Sequence, residues 1–407
     1  MKLKLKPSVR NAIMIGSLCS MSYLAVYIAR NILSAVTPQM IQGLVFGTAE
    51  ETTAFIGRIA SVYFISYATG QLINGLIGDK IKARYMISFG LGLAAVTNFL
   101  FSHMAGNPAA AMVIYAMTGF FLAMIYGPMT KVVAENVEPI YATRCSLGYT
   151  FASFFGTPSA GLLAACLTWQ NVFLASSTVL MTMAVLVFSF FLLFERKGIV
   201  RYGQYKTVKS QGNGIRVLIK HRIITFSLIA ILTGIVRTAV VFWMPTYISQ
   251  HLGFSTERSA ILFTGATFII SLTTFISVFI YERLKRNMEL TIFLMFSAST
   301  IFFLLVYLVK EPMVNLALLV LAVMSNGGAA SMLWSRYCPS LRDTGMVSSA
   351  TGFLDFLSYM AASVSSTLFA DAVGTIGWSN LILVWMGLMI CGVLVALPWY
   401  KLRNRSA

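Results

Sequence analysis

The sequence predicts an all-α membrane protein with twelve transmembrane helices in two six-helix pseudo-symmetric bundles and both termini cytoplasmic. Three observations predict it. Hydrophobic residues make up 58% of the 407-residue chain and charged ones 11%, with a mean hydropathy of +0.80. No soluble domain of this size hides that much apolar surface, so lipid is the solvent. Apolar runs long enough to cross a hydrocarbon core of ~30 Å recur along the chain. The basic residues, finally, fall almost entirely on alternate connections between those runs.

The runs lie near 12–38, 56–78, 85–104, 110–130, 145–167, 172–194, 223–248, 259–281, 288–309, 313–335, 346–370 and 378–400. The start, "MKLKLKPSVRNAIMIGSL", has the basic-then-apolar look of a signal peptide but lacks a small-residue cleavage site. It reads as the first span. With the N-terminus inside, the inner connections hold 25 of the 30 Lys and Arg, and the outer ones only Arg58, Arg258 and Lys310. That is the positive-inside pattern, and it places both ends in the cytoplasm. The net charge of +17 therefore reports topology and an anionic lipid surface, not a nucleic-acid partner. A bacterial cytoplasmic membrane and a monomer are the expected setting. Five scattered cysteines and three histidines far apart in sequence give no metal cluster or disulfide framework, and no cofactor is implied.

The longest hydrophilic segment, residues 195–222, divides the chain into an N-terminal bundle, 1–194, a basic linker, and a C-terminal bundle, 223–407. The halves echo each other. The first span of each carries Arg-x7-Pro, as Arg30/Pro38 and Arg237/Pro245. The turn after the second span of each is acidic then basic, "GDKIKAR" at 78–84 and "YERLKRN" at 281–287. Six plus six helices in parallel repeats resembles the major facilitator superfamily, whose site lies at the midplane between the halves. "GDKIKAR" is similar to that superfamily's loop signature in degenerate form, with Gly78, Asp79 and Arg84 as its gating residues. It also reads as a plain positive-inside loop.

Two arginines within spans are the chemical signal. A guanidinium in mid-span costs about 2.5–3.5 kcal/mol on insertion scales. The acidic residues nearest in sequence to Arg30 are Glu50 and Glu51, and to Arg237 Glu257, all beyond their helices. Snorkelling is one account of Arg30. The matched repeat positions favour a functional one, a positive pocket whose planar donors suit phosphate or carboxylate. Tyr23, Tyr27 and Arg30 share a helix face, and Trp243 and Tyr247 follow Arg237 one or two turns further along. Such aromatics also serve simply to pack or to mark the membrane interface.

"YLAVYIARN" with Pro38, and "VRTAVVFWMPTYI", resemble the organophosphate:phosphate antiporters, the glycerol-3-phosphate and hexose-phosphate transporter type. "FISYATGQLINGLIGDK" and "SSATGFLDFLSYMAASVSS" extend the likeness through both halves. The resemblance implies that Arg30 and Arg237 bind the substrate's phosphate, with Tyr23, Tyr27, Trp243 and Tyr247 beside them. The chain departs from the family elsewhere. Gln71 stands where a lysine is common, Ala152 where the glycerol-3-phosphate type has histidine, Thr267 where an acid is expected, and Asp355 where glycine is expected.

Asp355 lies near the middle of the eleventh span. It is either a counter-ion for an arginine or a proton-coupling group. The expected function is secondary active transport of a small organic anion, a phosphate ester or related organophosphate, by alternating access. The anion exchanges for phosphate or moves with protons. Two alternatives stand: a proton-coupled drug or metabolite exporter using Asp355, and a transporter-like membrane sensor of sugar phosphate, of which the family contains one. No phosphate loop or nucleophile constellation points to an enzyme.

Overall fold

Long apolar runs in lipid must satisfy their backbone polar groups internally, and helices do so along their own length. The computed structural model describes residues 6–78, 81–202, 218–341 and 347–404, and all of its regular structure is helical. In chain order the helices are α1 (Pro7–Gln42), α2 (Ala49–Gly78), α3 (Ala83–Met104), α4 (Pro108–Leu122), α5 (Tyr126–Asn136), α6 (Pro139–Cys166) and α7 (Trp169–Arg196). Then come α8 (Ile223–Gln250), α9 (Thr256–Ser271), α10 (Thr273–Arg283), α11 (Met288–Leu308), α12 (Pro312–Met332) and α13 (Val347–Asn404). A five-residue π-helical turn, Leu333–Tyr337, extends α12.

Among the described residues nine helical stretches are long and apolar enough to cross a membrane. One of them, 350–397, holds two crossings joined at Gly377, whose φ of +74° breaks the helical course of α13. Pairs α4/α5 and α9/α10 each make one crossing of 26 and 28 residues. With α2 and α6, of 30 and 28 residues, the crossings number twelve, as expected from the sequence.

The helix ends follow local chemistry. Thr48 and Glu51 form a reciprocal capping box at the start of α2: the Thr48 amide donates to Glu51 Oε2 at 2.8 Å and the Glu51 amide to Thr48 Oγ1 at 3.2 Å. Asn107, Ser255, Asn287 and Glu311 accept first-turn amides of α4, α9, α11 and α12. Pro108, Pro139 and Pro312 stand where a missing amide costs nothing.

The chain forms two compact units, one of residues 1–40 and 62–208, the other of 41–61 and 209–407. The first 13 residues of α2 thus belong to the second unit and the rest to the first. In the first unit α3 packs on α7 and α4 through hydroxyl and amide contacts, Asn98 Nδ2 to Ser176 Oγ at 3.0 Å and Thr118 Oγ1 to Thr97 Oγ1 at 2.8 Å. Phe101, Tyr115 and Phe173 fill the space between. In the second, Ser299 Oγ donates to the Ala322 carbonyl at 2.9 Å, joining α11 to α12. The start of α2 meets α13 there: Ser61 and Ser363 hydroxyls lie 2.8 Å apart, and a Cβ at Gly57 would come within 2.3 Å of the Ala370 methyl. Small residues and interhelical hydrogen bonds of this kind hold helices together in lipid, where apolar burial gives no preference for protein over tails.

Candidate functional site

Arg30 sits on α1 eight residues before Pro38, and two tyrosine rings of the same unit face it. Its guanidinium carbon lies 5.8 Å from the Tyr27 ring centroid and 5.1 Å from that of Tyr67 on α2. Helical side chains lean toward the helix N-terminus, so Arg30 reaches back over Tyr27. Planar rings facing a guanidinium hold it by cation–π attraction, and its N–H donors lie in the plane of the group rather than on that face. Tyr67 was not among the expected residues, although Tyr63, Tyr67 and Gln71 recur every four residues on α2. Gln71, half-buried, follows Tyr67 by one turn.

One turn further along α1, Tyr23 joins this group of rings. Its centroid is 5.0 Å from Tyr27 at 78°, 5.3 Å from Tyr126 and 6.2 Å from Tyr149 on α6. Tyr126 begins α5, after α4 stops at Leu122. Gly127 and Pro128 explain that stop: proline lacks a donor and restricts the residue before it, so the break falls just upstream. A cavity of about 340 Å³ begins one turn beyond Tyr23, between α1 and α6, lined by Gly16, Ser17, Ser20, Tyr141, Cys145 and Gly148. The two helices can approach there because side chains are small. A Cβ at Gly148 would lie 2.3 Å from Ser20 Oγ, and one at Gly156 2.3 Å from Tyr27 Cβ.

Arg237 has a different setting in the second unit. It is half-buried on α8, and among the described residues none forms an ion pair with it. Three residues upstream, Gly234 meets α13 closely, its would-be Cβ 2.8 Å from the Ser358 carbonyl oxygen. Thr233 accepts at its carbonyl from Asn326 Nδ2, 3.2 Å away, while Asn326 Oδ1 is buried with no partner. Trp243 and Tyr247 are fully buried. The Tyr247 hydroxyl donates to Asn315 Oδ1 at 2.5 Å, and Asn315 Nδ2 in turn donates to the Val306 and Val309 carbonyls. In this structure both aromatics pack their unit; the Tyr247 hydroxyl is taken by Asn315, whereas the Trp243 indole N–H is buried with no hydrogen-bond partner.

Asp355 is half-buried on α13 and interacts electrostatically with Cys338, just past the π-helical turn of α12. Other polar side chains within the spans are held locally. Asn74 Nδ2 donates to the Phe120 carbonyl at 3.4 Å, Thr130 to Gly127, Ser325 to Leu321 and Thr267 to Phe263. Ala152, at the expected histidine position, is buried.

Of the loop residues, Gly78 ends α2 and Asp79 lies outside the described residues. Arg84 is nearly buried: Nη1 donates to Glu195 Oε2 at 2.9 Å and Nη2 to the Tyr85 hydroxyl at 2.8 Å. Glu195 Oε1 accepts from the Tyr202 hydroxyl at 3.0 Å. Burial, then the neighbouring carboxylate, pushes the Tyr202 phenol well above its ordinary range. The second unit has a looser counterpart, Arg222 to Glu289 at 3.6 Å.

This helix order carries a known family pattern. The family model described as "Major Facilitator Superfamily" matches residues 19–366. The chain belongs to the major facilitator superfamily. Members of this superfamily are transporters rather than enzymes, and the chain is a multi-pass integral membrane protein and secondary transporter. Among relatives, a phosphoglycerate transporter protein of Salmonella typhimurium is 22% identical over 407 residues, 92% of this chain and 86% of its own length. A glycerol-3-phosphate transporter of Bacillus subtilis is 22% identical over 377 residues, 84% of each chain. The crystal structure of a D-xylose-proton symporter superposes with a TM-score of 0.74 at 13% identity, covering 95% of this chain and 96% of that one. That likeness shows the superfamily fold.

Proposed function

We propose that this transporter carries a small phosphate ester, bound through its phosphate by Arg30 and Arg237, one arginine from each repeat. The observation that carries the reading is the setting of Arg30. A guanidinium within a span, faced by two tyrosine rings, is a preorganised donor for a dianionic group in a low-dielectric site. Tyr23, Tyr27 and Gln71 supply hydroxyl and amide groups on neighbouring faces. The relatives named for phosphoglycerate and glycerol 3-phosphate support the same class of cargo. Exchange for inorganic phosphate across a bacterial cytoplasmic membrane, with both termini inside, completes the reading. The protein works as a monomer, its bundles formed by residues 1–194 and 223–407 with the basic linker between.

Thermal stabilisation of the purified protein by inorganic phosphate and by phosphate esters tests this. Stabilisation by phosphate compounds, lost in Arg30→Ala and in Arg237→Ala, is the expected result. Stabilisation kept in both variants would sink it. A second reading, proton coupling through Asp355, is favoured by the position of that carboxylate beside the π-helical turn, an irregularity common at functional sites. Asp355→Asn then abolishes the response of uptake to a pH gradient, and an unchanged response leaves Asp355 as a counter-ion.

A further inference from the structure

We propose that Tyr23 and Tyr126, backed by Tyr149, form a subsite for the uncharged, hydroxylated part of the phosphate ester, and that it selects six-carbon sugar phosphates over three-carbon esters. The proposal rests on the phosphate reading of Arg30 and adds to it what holds the rest of the molecule.

Four observations lead there, all within the first unit. Tyr126 is 40% exposed although it stands within a membrane crossing, because the break after Leu122 turns it out at the head of α5. It leans on Tyr23 at 5.3 Å with 35° between the planes. At that separation the rings already touch, so no flat group slots between them and a ligand meets their open faces and rims. Behind them Tyr149 is 5% exposed, and its hydroxyl is buried with no hydrogen-bond partner, beside Tyr126, Cys19 and Cys145. A buried phenol left unpaired is costly unless something fills its need. Lastly, a cavity of about 340 Å³ ends close to this group: its lining includes Ser20, three residues before Tyr23 on α1, and Gly148, which precedes Tyr149 on α6, while the three rings themselves lie outside the lining.

Length sets the selectivity. Arg30 and Tyr23 are separated along α1 by roughly 10 Å at ~1.5 Å per residue. Carbon–carbon bonds of about 1.5 Å carry a three-carbon ester, held at Arg30 by its phosphate, only to the level of Tyr27. A six-carbon chain or ring extends to Tyr23 and Tyr126. Chemistry sets the class. Phenol faces accept the C–H side of a sugar ring, and phenol hydroxyls exchange hydrogen bonds with its hydroxyls. A second anionic group gains nothing from these rings.

The test uses full-length protein in detergent and measures ligand-dependent thermal stabilisation with glucose 6-phosphate, glycerol 3-phosphate, phosphocholine and inorganic phosphate. Glucose 6-phosphate half-saturates at the lowest concentration of the four. Tyr126→Ala raises that concentration about tenfold relative to the value for inorganic phosphate. Tyr126→Phe keeps the ring and restores the preference to within about twofold. Tyr149→Phe, which removes only the hydroxyl, shifts the same ratio by about fivefold. The subsite is wrong if glycerol 3-phosphate or phosphocholine binds as well as glucose 6-phosphate, or if Tyr126→Ala weakens all four ligands equally. Those outcomes leave the phosphate reading standing so long as Arg30→Ala abolishes inorganic phosphate binding. If no phosphate compound stabilises the protein, the phosphate reading itself fails, and the subsite with it.

Discussion

Arg30 and Arg237 stand at matched positions of a repeat, and their surroundings differ. Three residues upstream of each, a helix crossing is tight enough to require glycine: Gly156 of α6 against Tyr27, and Gly234 of α8 against Ser358. The crossing persists while the glycine changes helix. Around Arg30 the first unit gathers Tyr23, Tyr27, Tyr67, Tyr126 and Tyr149. Around Arg237, among the described residues, no ring lies within cation–π reach; Trp243 and Tyr247 are sealed in packing two turns away. A repeat therefore keeps the charge and the helix geometry and lets the recognition surface diverge. On the proposed reading, the first unit meets the body of the ligand and the second adds charge.

The basic-loop side repeats this asymmetry and gives the largest expected effect. Arg84 and Glu195 form a nearly buried pair with side-chain exposures of 7% and 17%, whereas Arg222 in the looser pair is 50% exposed. Glu195→Ala strands the Arg84 guanidinium and should cost about 3–5 kcal/mol. Arg222→Ala should cost about 1 kcal/mol or less, because solvent already screens that pair. Thermal unfolding in detergent ranks the two, and equal losses would break the comparison.

The glycine crossings come next. Gly234→Ala drives its methyl against the Ser358 carbonyl oxygen at 2.8 Å and the Ser358 Cα at 3.0 Å. Overpacking of this kind costs about 1–3 kcal/mol. The Ser358 hydroxyl, at 2.2 Å, is closer still, so adding Ser358→Gly should relieve that contact and leave the backbone clash, restoring stability only in part. Full rescue by the double variant would show that the side chain alone sets the spacing.

Two titrations give smaller effects. Burial, then the charge of Lys310, lowers the pKa of His251, which also lies 5.0 Å from the Tyr247 ring. The folded protein holds this histidine neutral, so stability is present above the unfolded value of about 6.5 and declines as pH falls below it. His251→Asn should flatten that slope in a pH series of melting temperatures; an unaltered slope assigns it elsewhere. In the first turn of α2, hydrogen bonds from the Thr48 amide and then its hydroxyl lower the pKa of Glu51. That capping contribution is present above the unfolded carboxylate value and lost as pH falls through the depressed one. Glu51→Gln should remove it, lowering the melting temperature slightly at neutral pH and not below the depressed value, measured by the same melts.

Much of this was legible in the sequence. Runs of about twenty apolar residues and alternating basic connections located all twelve crossings, because lipid imposes length and backbone satisfaction on every segment alike. Arg30 and Arg237 stood out because a mid-span charge is costly. The breaks were less visible. Gly127-Pro128 inside the fourth run signals the stop at Leu122, while nothing comparable marks the interruption at Leu272 or the π-helical turn at Leu333–Tyr337. Tyr67 and Tyr126 escaped notice because an aromatic in a lipid span has many uses, and only the fold brings α2, α5 and α6 against one face of α1. Tyr247 shows the converse. It followed Arg237 at a plausible spacing, and Asn315, 68 residues away, takes its hydroxyl.

Counterflow in liposomes tests the central claim most directly. Vesicles loaded with inorganic phosphate and containing the purified protein are given labelled phosphate outside, and uptake is compared among wild type, Arg30→Ala and Arg237→Ala. The account predicts rapid exchange by the wild type and background uptake by either variant, with both variants folded by size-exclusion and melting criteria. Exchange at the wild-type rate in both variants would contradict it.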